Sequence, residues 1–192
     1  AVLSDLPKKT AGKVVNRFCG SSMDAVHQVS QSIISDDIEC GIASGVEDMF
    51  SVPMGGFNPS FNPILYEKDY YIGMGETAEN LAQELDISRD DQEEFAVSSH
   101  EKALKAIELG NFKNEIIPIS FNDNMLINDE GPRVPDLAKM KSLEPVFDAG
   151  GSITPATSSP ISLGAASILI TSNIFADKAN LNSKFKIVSR SV

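Results

Sequence analysis

The sequence predicts an α/β protein in which a sheet domain is interrupted by a mostly helical insertion. Three observations carry this. An apolar stripe at Met23, Val26, Val29 and Ile33, with Ala25 and Ile34 beside it, has helical spacing and lies between two strand-prone runs, 13–18 and 38–45. A further strand-prone run, Ile168-Leu169-Ile170, returns late in the chain. Between them, residues 51–160 read as helices, turns and irregular segments, which gives a sheet core at 1–50 and 161–192 around an inserted domain.

Taken in order, residues 1–12 form a loop or the end of a helix, and 13–18 form a strand. The amphipathic stretch 21–35 is a helix, and Asp36-Asp37 turns the chain into the strand around 38–45. Strand, helix, strand is the unit of a parallel sheet. From 50 to 75 Gly55-Gly56, Asn58-Pro59 and Asn62-Pro63 punctuate an irregular stretch of the kind that compact proteins keep for function. A helix spans 77–85. Ser88 with Asp91 three positions later is a capping box, opening a helix that runs to Leu109 and is closed by Gly110. Its charges mark a solvated face, to which His100 is assigned as a surface histidine. A short extended piece follows at 116–119, then a polar, turn-rich region from 120 to 145 and a run of small residues at 150–160. A strand at 165–171, a helix at 173–180 and a strand at 185–191 finish the chain.

Composition narrows the function. The 192 residues carry 16 basic and 27 acidic side chains, a net charge of −11, which excludes nucleic acid as a general partner because phosphate backbones are bound by net basic surface. A phosphorylated small molecule held by a few local cations stays compatible. No apolar run approaches the roughly 20 residues of a membrane span, and Ala1-Val2-Leu3-Ser4-Asp5 has neither a signal-peptide nor a transit pattern. Two cysteines do not make a disulfide framework in a chain of this length, so a reducing, cytoplasmic setting is expected. No metal and no prosthetic group is expected.

Cys19 is the candidate nucleophile. It stands between the run 13–18 and a helix opening with Gly20-Ser21-Ser22, where the free N–H groups of a first helical turn favour the thiolate. The small residues after it leave room for a substrate. The competing reading of a lone cysteine is a buried structural thiol; that reading is the better one for Cys40, inside Ile38-Glu39-Cys40-Gly41-Ile42-Ala43.

Several segments bear on the choice. They are Val15-Asn16-Arg17-Phe18-Cys19-Gly20-Ser21-Ser22-Met23, Gly45-Val46-Glu47-Asp48-Met49 with Val52-Pro53-Met54, and Met74-Gly75-Glu76-Thr77-Ala78-Glu79-Asn80. Ile87-Ser88-Arg89-Asp90-Asp91-Gln92 with Phe95-Ala96 and Ser99-His100, Phe112-Lys113-Asn114-Glu115-Ile116-Ile117-Pro118 and Pro145-Val146-Phe147-Asp148 continue the series. In this order and at these separations they resemble the thiolase family over nearly the whole chain. The resemblance implies a five-layer αβαβα enzyme of two similar halves, each a mixed sheet with helices on both faces, with a loop domain inserted in the first. This chain resembles that first half plus the loop domain. Cys-Gly-Ser-Ser-Met and Thr157-Ser158-Ser159 are more similar to 3-ketoacyl-CoA thiolases of fatty-acid degradation than to acetoacetyl-CoA enzymes.

The resemblance also implies roles. Cys19 attacks the ketone carbon of a 3-ketoacyl-CoA and carries the acyl group, with its own amide helping to hold the oxyanion. Coenzyme A is a substrate here. Arg133 matches an adenine- or phosphate-contacting Arg, Ser159 a Ser that hydrogen-bonds the pantetheine arm, and Met74 and Phe147 positions lining the coenzyme A tunnel. Taken without the resemblance, Arg133 is equally a surface residue, and Met74 and Phe147 are core residues.

Departures from the family are as plain. The 192 residues contain no Gly-His-Pro and no Cys-x-Gly segment, which supply the family's base and second cysteine, and no Asn-Glu-x-Phe. Leu163 stands where an Asp is usual, and Pro155 and Pro160 stiffen a loop the family often builds with Gly. The expectation is an incomplete enzyme, inactive alone, that needs the remaining half on the same gene or a separate chain and forms a homo-oligomer. A non-catalytic coenzyme A-binding or assembly subunit is the alternative. A decarboxylating condensing enzyme fits less well, because the motifs between 74 and 118 belong to the thiolase pattern.

Overall fold

The computed structural model describes residues 1–191. Its elements in chain order, after one 3-10 turn at Val2–Ser4, are α1 (Ser21–Ile34), β1 (Cys40–Asp48), α2 (Pro63–Tyr66), α3 (Met74–Glu84), α4 (Arg89–Glu108), β2 (Ile119–Phe121), β3 (Asn124–Leu126), α5 (Leu137–Ser142), β4 (Leu163–Thr171) and α6 (Asn173–Lys178). They fall into two units: Ala1–Phe57 with the chain from Ser162 on, and Asn58–Ile161.

In the first unit β1 and β4 pair antiparallel, in a register running from Cys40 opposite Thr171 to Asp48 opposite Leu163. Alternation then sorts their side chains onto two faces. On one face β1 presents Gly41, Ala43 and Gly45, and α1 lies against it. A Cβ on Gly41 would come within 2.7 Å of the Val29 side chain, and one on Gly45 would run into Ser22 Oγ. The helix therefore seats directly on strand backbone, and Ala43 is buried beneath it. The other face carries Ile42, Val46, Leu163 and Leu169, all exposed, around a 2.7 Å hydrogen bond between the Ser44 and Ser167 hydroxyls. Where β1 ends, Asp48 Oδ1 accepts from the amides of Phe50 and Ser51, both at 3.0 Å. The Ser51 hydroxyl, and behind it these amides, hold the Asp48 carboxyl below the usual carboxylate range.

Several expectations are corrected here. The parallel strand–helix–strand unit is absent among the described residues: 13–18 and 185–191 form no ladder, and β1 pairs antiparallel with β4. Strand propensity is local but a strand needs a partner for its N–H and C=O groups, and neither run has one among the described residues. In α1 the stripe is half-buried at Val26, Val29 and Ile33, whereas Met23 is exposed. Cys40 is half-buried rather than core.

The second unit is tied together by polar bonds. Glu79 of α3 is 4% exposed, and its carboxylate accepts from the amides of Ser152 (2.9 Å) and Ile153 (2.9 Å). Arg89 of α4 donates to Glu93 at 2.8 Å and to the carbonyls of Met140 (3.1 Å) and Leu143 (2.7 Å) at the end of α5. The capping box at Ser88 and Asp91 forms, and Gly110 closes α4 at φ +69°. Within the region read as turns, β2 and β3 make a hairpin through Asn122 and Asp123, both left-handed at φ +46° and +62°. That is the backbone of the tight turns that match strand twist, and Asn and Asp tolerate it.

Candidate functional site

Around Cys19 the backbone turns sharply, and neighbouring side chains hold the turn. Asn16 Oδ1 accepts from the Phe18 amide at 3.0 Å. Ser21 Oγ accepts from the Arg17 amide and donates to the Phe18 carbonyl, both at 2.7 Å. The amides of Gly20 and Ser21 close on the carbonyls of Arg17 and Phe18, each at 3.0 Å. Within this frame Phe18 takes φ +47°, a left-handed conformation that costs a residue other than glycine about 1–2 kcal/mol. The result is an exposed Cys19 one position before the helix cap Gly20. Its amide donates to no acceptor among the described residues. Ser22, in the first turn of α1, is the residue wedged against Gly45, so close packing on β1 sets where this helix begins.

In the second unit Arg133, Phe147 and Ser159 line one cleft of about 470 Å³, within the range of small-molecule sites. His100, Pro155, Ser158 and Pro160 line it too. Met74, at the start of α3, is exposed and does not line it; the Phe147 ring instead lies on the neighbouring Gly75, where a Cβ would collide with it. The floor near Ser159 is a braced turn. Thr154 is fully buried, and its carbonyl accepts from Thr157 Oγ1 (3.2 Å) and Ser158 Oγ (2.8 Å), so these two hydroxyls have structural work.

His100 corrects the surface assignment. It is half-buried, and its Nδ1 accepts the Arg133 amide at 3.3 Å. The signal was in the spacing: Glu93, Ala96, His100, Ala103 and Ile107 recur at helical intervals and are all at least half-buried, so His100 belongs to the inward face of α4.

Comparison with known proteins gives the family of the chain. Residues 1–173 match the model of the thiolase N-terminal domain. A 3-ketoacyl-CoA thiolase of Idiomarina loihiensis is 38% identical over the whole chain, which covers 52% of that protein. The dimeric peroxisomal thiolase of Saccharomyces cerevisiae superposes with a TM-score of 0.83 at 36% identity, over 94% of this chain and 48% of its own. An acetyl-CoA acetyltransferase from Syntrophomonas wolfei gives 0.80 at 28% identity, over 94% and 49%. The chain thus spans about half the length of the relatives it matches, and no helix among its described residues is long and apolar enough to cross a membrane. With its α/β fold and the turn that carries Cys19 both inside the matched span, this chain belongs to the thiolase family, whose N-terminal domain it contains.

Proposed function

We propose that the chain is the nucleophile-bearing part of a thiolase-type acyltransferase, which cleaves 3-ketoacyl-CoA by thiolysis or runs the reverse Claisen condensation through an acyl-Cys19 intermediate. The observation that supports this most is the exposed Cys19 on a held turn at a helix start. In the forward direction the Cys19 thiolate adds to the ketone carbon, giving a tetrahedral alkoxide. The unpaired Cys19 amide is a donor available to that oxygen. Collapse of the alkoxide breaks the bond between the ketone carbon and the α-carbon, and the departing acetyl-CoA carbanion takes a proton from an acid. The acyl group is left as a thioester on Cys19. The thiolate of a second coenzyme A then attacks this thioester, acyl-CoA leaves, and the Cys19 thiolate returns.

The cleft of the second unit supports coenzyme A as the ligand. Arg133 is a local cation on an acidic chain, Ser159 a donor for the pantetheine arm and Phe147 an apolar wall; Met74 stands outside this cleft and is not part of the proposed site. We read this unit as the inserted loop domain. The base and acid come from the part of the family pattern these 192 residues do not contain, so activity requires a completing half. Surface area favours that requirement. A folded 20.6 kDa monomer exposes about 8,900 Å², and this chain exposes 15998 Å², much of it apolar. Assembly into a homo-oligomer follows the same logic, as does a reducing compartment such as the cytoplasm, in which a thiol nucleophile survives.

The test is intact-mass spectrometry of the chain after incubation with a 3-ketoacyl-CoA, alone and co-expressed with the C-terminal half of a thiolase. The expected result is an acyl increment on the co-expressed chain that is lost in Cys19→Ala. Absence of any adduct while coenzyme A still binds overturns the nucleophile role and leaves the second reading, a coenzyme A-binding subunit, which the missing Gly-His-Pro favours.

A further inference from the structure

We propose that His100 is a second binding residue of the cleft, which positions Arg133 through one ring nitrogen and offers a hydrogen-bond donor to the ligand through the other. This rests on the reading of the cleft as a coenzyme A site. The Arg133 amide has only a proton to give, so the His100 Nδ1 it meets at 3.3 Å is an unprotonated acceptor. In a neutral imidazole the proton then sits on Nε2. Nε2 has no hydrogen-bond partner among the described residues, and His100 lines the cleft. One bond therefore does two things. It ties the segment Gly131-Pro132-Arg133, which lines the cleft and belongs to no helix or strand, to the middle of the 20-residue helix α4. It also fixes a tautomer that leaves an N–H for an acceptor atom in the cleft that Arg133 lines as well. Two donors lining one cleft suit phosphate oxygens, and on a chain of net charge −11 they have to be placed rather than supplied by the general field.

The side chain's two jobs separate by substitution. His100→Asn keeps an acceptor near the position of Nδ1 and loses the distal donor. His100→Gln keeps a distal donor and leaves the Arg133 amide without its acceptor. His100→Ala loses both. Coenzyme A binding to the 192-residue chain, followed by isothermal titration calorimetry with circular dichroism as the control for folding, should weaken about tenfold in His100→Ala and less in Asn and Gln. In an Arg133→Ala background the same His100→Ala change should cost less than in the parent, because there is no guanidinium left to position. Parent-like affinity of His100→Ala alongside weakened Arg133→Ala overturns the His100 role and leaves the cleft reading intact. If coenzyme A does not bind the parent, or binds Arg133→Ala equally well, the cleft reading itself falls. If His100→Ala loses helical signal, the Asn and Gln variants decide: parent-like affinity in both overturns the role.

Discussion

The turn around Cys19 and the cleft around His100 reach order by opposite means. In the first unit side chains are removed: Gly41 and Gly45 leave bare backbone on β1, α1 settles onto it, and the turn that carries Cys19 is placed by that contact. In the second unit side chains are added: a buried Glu79 gathers the 151–153 loop, and Arg89 gathers the end of α5. Close packing leaves the first unit's other sheet face apolar and uncovered, whereas the polar ties of the second unit satisfy themselves internally. The lesson is where each unit is vulnerable. The first tolerates no added volume, and the second tolerates no lost acceptor.

The sharpest way to break the comparison is to fill the gap. Gly45→Val puts side-chain carbons where Ser22 Oγ stands and should destabilise the first unit by about 3 kcal/mol, the upper end for overpacking. The gain in strand propensity, at most about 1 kcal/mol, does not offset this. Chemical denaturation measures the loss, and hydrogen exchange should report it in α1 and β1. Ser22→Gly in the same chain should recover part of it. If Gly45→Val is as stable as the parent, helix seating on bare backbone does not order this unit.

Next in size is Glu79→Gln. It swaps one carboxylate oxygen for an NH₂ group, which at the Oε2 position faces the Ser152 amide, and it removes the charge that strengthens the bonds to both Ser152 and Ile153. A loss of about 2 kcal/mol is expected, with faster exchange at those two amides. An unchanged denaturation midpoint would show that the 151–153 loop is held by something else.

How much of this was legible in the sequence follows the same division. Helix α4 was, because its start is written locally in Ser88 and Asp91 and its end in Gly110. So were α1, β1 and β4 as elements, and the family to which the chain belongs. What local signals do not contain is pairing: 13–18 and 185–191 have strand composition but form no ladder, and nothing in β1 announces that its neighbour is antiparallel and more than 100 residues away. The hairpin at 119–126 was legible in principle from Asn122-Asp123 between short apolar runs, and it was hidden by the polar residues around it. His100 was misplaced because the many charges on α4 suggested a solvated face, while the half-buried residues follow a second face of the same helix.

The smallest expected effect tests the boundary between the two ordering schemes, at a polar tie inside the unit built on packing. Asp48 is half-buried at the end of β1, and the Ser51 hydroxyl and amide lower its carboxyl from the ordinary value. A group whose folded pKa lies below its unfolded one contributes stability that is complete above the unfolded value and is lost as pH falls through the folded value. The stability difference between the parent and Asp48→Asn should therefore be constant at neutral pH and shrink only in the acid range. Carboxyl chemical shifts followed by NMR should show Asp48 titrating below an unstructured aspartate. Ser51→Ala, which removes the larger donor, should move that titration back up. If Asp48 titrates in the ordinary range in the parent, the turn after β1 is set by the chain's packing and not by this carboxylate.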